Sequence, residues 1–187
     1  MNALVNNADH DLFDDTLVSD DEFPASIRLA RSPRECSDAA RRAEITLRAM
    51  SSIEESRDET EHHSPGELLN ARIEAKLDLT LGLLGMLAAQ QEMIPPTQPV
   101  RWSRRGLRMK RHNSLPIGSM AICSAYLLPT LPLPVDLPVE VVASEVTDDG
   151  FLIWFKLTDA TRGVQDGIER ELFRRHRRTI AERRAAR

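Results

Sequence analysis

One short stretch of the chain, residues 100–110, carries the side chains best suited to binding an anion. It reads VRWSRRGLRMK and places five cationic side chains around one Trp, one Ser and one Gly. Arginine forks bind phosphates through paired hydrogen bonds, and a turn containing Ser and Gly can add a hydroxyl and backbone amides. The candidate binding residues are Arg101, Ser103, Arg104, Arg105 and Gly106.

Three interpretations of this stretch remain open: the solvated face of a hairpin with Trp102 on the core side, a rebuilt nucleotide site, or a nucleic-acid contact. Nucleic-acid binding would use Arg104, Arg105 and Arg108 together with the basic C-terminal tail, residues 170–187, since attraction to phosphates needs only clustered cations. The net charge of -4 and the aromatic content of 4% argue against it. We therefore expect no nucleic-acid partner and keep a basic nucleic-acid-associated adaptor as the alternative function.

No pattern in the sequence predicts catalysis or a metal site. The chain has no G-x-G-x-x-G or Walker loop and no recognisable Ser, His and Asp set. His62 and His63 are adjacent, so on a helix they would point about 100° apart, and we interpret them as linker residues. We expect a protein that is not an enzyme, with no catalytic residues, no metal and no required cofactor.

The cysteines and the N-terminus predict a cytoplasmic location. Cys36 and Cys123 are far apart and belong to no CxxC pair, which is typical of reduced core thiols. The N-terminal residues are acidic where a signal peptide would be basic. No run approaches the roughly 18 apolar residues of a membrane span, so we expect no membrane partner.

The first 22 residues are polar and rich in carboxylates. Residues 9–22 contain seven acids and neither Lys nor Arg, and they lack a strong hydrophobic period. Such segments bury too little apolar surface to order themselves, so we predict a disordered acidic arm over residues 1–22. The following FPASIRLA alternates like a short strand.

Two helices follow, and each begins at a similar signal. SPRE at residues 32–35 combines an N-cap Ser, a Pro at the first helical position and a Glu three residues after the cap. The helix that it opens carries one apolar stripe and should end near residue 55; the stripe includes Cys36, Ala39, Ala40, Ala43, Leu47 and Met50. SPGE at residues 64–67 opens a second helix that Pro95 and Pro96 should end.

The second helix should serve oligomerisation. Its roughly 29 residues would span about 43 Å, which exceeds the diameter of a small domain. Its seam residues, most of them apolar, follow one another at spacings that alternate between four and three, as in a coiled coil. The predicted seam is Ile73, Leu77, Thr80, Leu84, Leu87, Gln91 and Ile94. Leu81 and Leu83 flank this seam, and the wide apolar stripe that results favours a coiled coil of more than two helices. We expect the first helix to lie against the outside of this coiled coil; a core helix of a single-chain bundle is the alternative.

From residue 98 the pattern becomes β. Five strand-like runs are separated by turn signals, and FPASIRLA would complete a six-stranded antiparallel barrel. The predicted fold is therefore α+β: a barrel interrupted after its first strand by two long helices and followed by a C-terminal helix. The predicted division is an arm at 1–22, a barrel domain at 23–31 plus 97–187, and a helical insertion at 32–96.

The β segment and the insertion resemble a known family. The S-x-x-G turn, the hairpin around residues 134–146, the strand GFLIWFKLTD and the closing helix resemble the PilZ family of cyclic di-GMP receptors. The inserted heptad helix is similar to that of the atypical, tetrameric PilZ proteins of xanthomonads. The resemblance implies a homotetramer built on a parallel coiled coil and a role in cyclic di-GMP signalling through an unidentified signalling protein.

The resemblance also implies a nucleotide site, from which this sequence departs. The family site has an Arg-x-x-x-Arg loop before the first strand and an Asp/Asn-x-Ser-x-x-Gly turn. Here Ser103 and Gly106 match the turn, Arg101 stands where the acid or amide would be, and residues 9–22 contain no Arg. We therefore predict a degenerate motif with cyclic di-GMP as a weak ligand or none.

Overall fold

The structure, a computed structural model, describes residues 3–58, 94–128 and 133–185, together with positions 73, 77, 80 and 84. Within helix α2 the side chains of residues 52–58 lie outside the description. Three helices and six strands are described: α1 (Ala3–Phe13), β1 (Val18–Leu29), α2 (Pro33–Asp58), β2 (Thr97–Ser103), β3 (Gly106–Arg111), β4 (Met120–Ala125), β5 (Val135–Thr147), β6 (Gly150–Leu157) and α3 (Arg162–Ala185).

The six strands form a closed antiparallel barrel in the order β1-β2-β3-β6-β5-β4. β1 closes it by changing neighbours: Val18–Pro24 pairs with β2, and Ala25–Leu29 pairs with β4. Closure leaves no unpaired strand edge in the barrel. The predicted six-stranded α+β fold with a C-terminal helix is confirmed.

The main core lies inside the barrel and extends under two helices. Alternate residues of each strand point inward, so Trp102 and Phe155 are buried there. The α2 stripe and the first half of α3 cover the barrel with buried apolar side chains; those in the main core are Ala43, Leu47, Met50, Val164, Ile168 and Leu172. The interpretation of Trp102 as a core residue is confirmed.

The start of α2 follows the sequence signal. The Ser32 hydroxyl accepts a hydrogen bond of 3.3 Å from the Glu35 amide, and the Glu35 carboxylate accepts one of 2.7 Å from the Arg31 amide. The Arg31 amide, and then the Arg28 guanidinium, lower the pKa of Glu35. The first contact gives a partner to an amide of the first turn, which the helix itself leaves without one, and the second ties the preceding chain to that turn.

Two expectations about the helical parts were wrong. The described residues of the predicted disordered arm, 3–22, instead form α1, a short connection and the first part of β1. The α2 stripe packs on the barrel and α3, so the barrel takes the surface expected to face the coiled coil. The apolar stripe of α2 was predicted correctly as a buried face, but the surface that it packs against depended on the tertiary arrangement.

Most of the predicted coiled-coil helix lies outside the described residues, including Leu87 and Gln91. Ile73, Leu77, Thr80 and Leu84 are helical and exposed in the single chain. Leu77 and Leu84 expose 56% and 57% of their surface, and Ile94 is also exposed. Large apolar side chains exposed at heptad spacing are expected of a helix whose partners are other chains.

The C-terminal helix contributes to the core beyond its last aliphatic contact. The Arg175 guanidinium lies 5.6 Å from the Phe23 ring centre and 5.5 Å from that of Trp102. It also donates hydrogen bonds to Glu171 at 2.6 Å and to the Leu127 carbonyl at 2.5 Å. The basic second half of α3 is therefore still part of the packed structure at Arg175.

None of the described helices combines the length and apolar character needed to cross a membrane.

Candidate functional site

A row of outward-facing side chains crosses the barrel beneath α1. Strand register places Arg101 opposite both Asp20 and Arg108, Arg108 opposite Trp154, and Trp154 opposite Ala143. The row changes from charged to apolar as it passes from β1 to β5. We call this surface, with Ser103 and Arg105 at its edge, the α1-binding face.

Ser103 and Gly106 seat the C-terminal end of α1. The Ser103 hydroxyl is buried and donates a hydrogen bond of 2.6 Å to the Leu12 carbonyl. A Cβ at position 106 would lie 2.1 Å from the Phe155 carbonyl oxygen and 2.9 Å from Leu12 Cδ2. Only glycine fits between strand β6 and the helix. Both residues of the S-x-x-G turn therefore contact the protein's own N-terminal segment.

Arg105 completes the end of α1. Its guanidinium donates hydrogen bonds to the backbone carbonyls of Asp11 at 3.1 Å and Asp14 at 3.0 Å. The last carbonyls of a helix lack intrahelical donors and carry the negative end of its dipole. Arg105 is thus a C-terminal cap supplied by the β2–β3 turn.

Asp9 anchors the middle of α1. One carboxylate oxygen accepts hydrogen bonds of 2.8 Å from the Arg108 guanidinium and 2.8 Å from the Trp154 indole nitrogen. The Arg108 guanidinium also lies 5.5 Å from the Trp154 ring centre. A carboxylate shared between a cation and an indole is held in one position, so Asp9 fixes the position of the helix along the row.

Phe13 places its ring among the arginines. The Arg101 guanidinium lies 5.2 Å from the Phe13 ring centre and that of Arg108 lies 5.9 Å from it, both within cation–π range. Arg101 also pairs with Asp20 at 3.2 Å. Phe13 is buried, with 5% of its surface exposed. The arginines that face α1 therefore contact an aromatic ring and carboxylates of the N-terminal segment.

Arg104 lies apart from this group. Its guanidinium pairs with Glu169 on α3 at 3.5 Å, whereas Arg101, Arg105 and Arg108 contact α1 or its connection. Lys110 pairs with Asp149, and the hydrogen bond from Lys110 lowers the pKa of that carboxyl. The predicted site residues therefore divide between two helices and do not converge on one point.

An open cavity of about 540 Å³ lies beside the C-terminal end of α1. Arg104, Arg105 and Lys156 contribute its cations, and His10 and Asp11 line it from α1. Arg104 and Arg105 already bind Glu169 and backbone carbonyls. The cavity therefore has mixed charge, and both arginines that border it already make polar contacts within the protein.

Neither cysteine has the environment of a reactive thiol. Cys36 and Cys123 are both buried, and burial raises the pKa of each, that of Cys123 to about 12.

Among the residues that the structure describes, no group of three or more His, Cys, Asp or Glu could hold a metal ion. His62 and His63 lie outside that part of the chain.

Sequence reasoning missed α1 and with it the role of Asp9 and Phe13. A signal was present, because Val5, Ala8 and Leu12 recur at spacings of three and four and are all buried. The high density of acids outweighed that short period. Asp9 was counted only as one of the seven acids in residues 9–22, although the fold uses it as a hydrogen-bond acceptor.

A closed six-stranded barrel that is interrupted after its first strand by α2 and followed by α3 is a PilZ-like fold. Residues 47–185 match the family model of the atypical PilZ domain, described as a cyclic di-GMP receptor. The chain belongs to this atypical PilZ family.

One solved structure resembles almost the whole chain. It is a pathogenic protein from Xanthomonas campestris, described as a new tetrameric PilZ domain self-assembled through an unusual helical bundle. The two chains are 33% identical with a TM-score of 0.82, and the match covers 97% of this chain and 99% of that one. Among curated proteins the comparison found no match.

Proposed function

We propose that this protein is a non-enzymatic, cytoplasmic signalling or scaffold protein of cyclic di-GMP pathways that binds the nucleotide weakly or not at all. The observation that best supports weak nucleotide binding is that Ser103, Gly106 and Arg105 contact α1. A nucleotide at this turn would have to displace that helix and the carboxylates around it. The signal then reaches the chain through a signalling protein that contacts it.

The missing arginine pair supports weak binding on energetic grounds. Two charge-assisted contacts contribute about 1.5 to 3 kcal/mol each, so their loss lowers affinity by at least roughly a hundredfold. Arg101 does not replace them, because its guanidinium already pairs with Asp20 and contacts Phe13. The nucleic-acid alternative receives no support here, since Arg104 and Arg108 are paired with carboxylates.

We propose further that the chain works as a homotetramer joined by the long heptad helix. The exposed positions Leu77 and Leu84 support self-association, as does the tetrameric assembly of the Xanthomonas campestris relative. A tetramer presents four copies of each surface, which suits a scaffold because several weak contacts act together.

Calorimetric titration with cyclic di-GMP tests the proposal on nucleotide binding. We expect no binding at submicromolar concentration with the natural protein. Ser103→Ala serves as the matched variant, because it removes the one hydroxyl that the family turn provides. Submicromolar binding that is lost in Ser103→Ala would mean that the turn is a working nucleotide site.

A further inference from the structure

The α1-binding face recognises features that many helices share. It binds one carboxylate through Arg108 and Trp154, one aromatic ring through Arg101 and Arg108, and a helix C-terminus through Arg105. None of these contacts requires α1 to belong to the same chain. A separate helix with an acid and a hydrophobic stripe at the same spacings would make the same set.

The packing of α1 is separate from the main core. Its buried side chains join Ala143 and Trp154 on the outside of the barrel, in a cluster distinct from the one inside. The barrel interior therefore keeps its contacts when α1 leaves. What leaves is four buried side chains, Val5, Ala8, Leu12 and Phe13.

The connection between α1 and β1 has the geometry of a hinge. Only residues 14–17 join the two elements, and Asp15 has a φ of 52°. A left-handed conformation is uncommon for a residue other than glycine, so this joint stores some strain. A helix of 11 residues is also only marginally stable alone, so α1 keeps its structure through the face that it covers.

From these contacts we infer that the α1-binding face is a docking surface for a short acidic amphipathic helix of a partner protein, and that α1 occupies it until such a helix displaces it. Complementarity selects the partner: Arg108 meets the Asp9 carboxylate, Arg105 meets the carbonyls of Asp11 and Asp14, and Arg101 contacts the Phe13 ring. Ala143 and Trp154 require an apolar stripe beside the acid. The inference deepens the proposed scaffold role and rests on it.

A fluorescent peptide of residues 1–16 provides a defined probe for this surface in full-length protein. The tethered α1 competes at an effective concentration on the order of millimolar, so the natural protein should bind the peptide poorly. Val5→Asp places a charge on the buried face of α1, whose residue 5 is 4% exposed. We expect this variant to bind the peptide at least about tenfold more tightly than the natural protein does.

The matched control is Leu4→Asp, the same kind of change on the exposed side of α1, where residue 4 is 51% exposed. It should bind the peptide as poorly as the natural protein does. Asp9→Asn is a milder second variant that should also admit the peptide, which keeps the test decisive if Val5→Asp fails to fold. A peptide carrying Asn at position 9 should bind the Val5→Asp protein at least about tenfold more weakly than the natural peptide does.

Several outcomes would overturn the inference. One is that the natural, Leu4→Asp and Val5→Asp proteins bind the peptide equally well. Another is that neither Val5→Asp nor Asp9→Asn binds it. The third is that the peptide with Asn at position 9 binds the Val5→Asp protein as tightly as the natural peptide does. Salt-dependent binding of an oligothymidylate, with none of the peptide, would reassign the face to nucleic acid. Light scattering and cyclic di-GMP titration of the same samples test the proposed function separately, so the two failures are distinguishable.

Discussion

The buried hydroxyl of Ser103 donates a hydrogen bond of 2.6 Å to the backbone carbonyl of Leu12, ninety-one positions earlier in the chain. The same oxygen accepts a hydrogen bond of 3.0 Å from the Arg105 amide. A turn expected to contact a ligand thus holds the N-terminal helix on the barrel, and its hydroxyl both donates and accepts a hydrogen bond within the protein.

Ser103→Ala should lower the free energy of unfolding by about 1 to 3 kcal/mol, because it leaves the buried Leu12 carbonyl without its donor. Urea denaturation measures the change. The matched control is Ser119→Ala, which removes a 2.6 Å hydrogen bond to the Pro116 carbonyl in an exposed turn. That change should stay within about 0.5 kcal/mol. Equal losses in the two variants would contradict a seating role for Ser103.

Leu84→Ala should lower the mass of the assembly and its melting temperature together. Leu84 is 57% exposed in the single chain, and the proposed tetramer would bury it at the seam. Truncation of a buried Leu costs about 2 to 5 kcal/mol, and symmetry repeats the loss in every chain. Light scattering and thermal unfolding measure both effects.

Val146→Ala provides the comparison for Leu84, since Val146 is 77% exposed on strand β5. It should change neither mass nor melting temperature. A monomeric natural protein would end the tetramer proposal, and so would a Leu84→Ala protein that keeps its full mass and stability.

Arg175→Ala should lower the free energy of unfolding by about 2 to 4 kcal/mol. The change removes a guanidinium that contacts two aromatic rings and withdraws a partner from Glu171, which is 4% exposed. Arg175→Lys should recover only part of the loss, because an ammonium cannot reproduce the planar contacts. Chemical denaturation of both variants measures this ordering, and full recovery by Lys would show that charge alone matters.

Removal of residues 178–187 should leave the fold and the number of subunits in the assembly unchanged. The described side chains from His176 to Arg184 are exposed, and the contacts of α3 with the barrel lie before them. Circular dichroism and light scattering provide the measurement. Unfolding of the truncated chain would place the end of the core later in α3 than the packing indicates.

The two thiols should resist modification in the folded protein. At pH 8 a thiol reagent should react with neither Cys36 nor Cys123, and with both once urea is added. Rapid labelling of the native protein would contradict the burial of the thiols.

The burial of Cys123 also makes stability depend on pH. Because burial raises the folded pKa of Cys123 to about 12, the unfolded chain binds fewer protons than the folded chain between about pH 9 and 12. The contribution of Cys123 to stability is therefore complete below about pH 9 and declines as the pH rises.

Much of the fold was predictable because its signals are local. The SPRE cap and the stripe from Cys36 to Met50 predicted α2, since a capped helix with one apolar face must bury that face. The alternation of the strands predicted which residues face inward, as Trp102 does. The seam at Ile73, Leu77 and Leu84 predicted a helix, and those positions are helical and exposed in the single chain.

The partners of those surfaces were decided by the tertiary structure. By itself the sequence determined that residues 100–110 are basic and that residues 9–22 are acidic, and each run alone is indistinguishable from a solvated surface. Strand register brings Arg101 beside Asp20, and barrel closure places Trp154 and Arg108 where one carboxylate, Asp9, reaches both. Such contacts join residues separated by up to 145 positions, so no local period records them. An acidic segment that could not order itself becomes a helix because the barrel supplies the apolar and cationic face that it lacks.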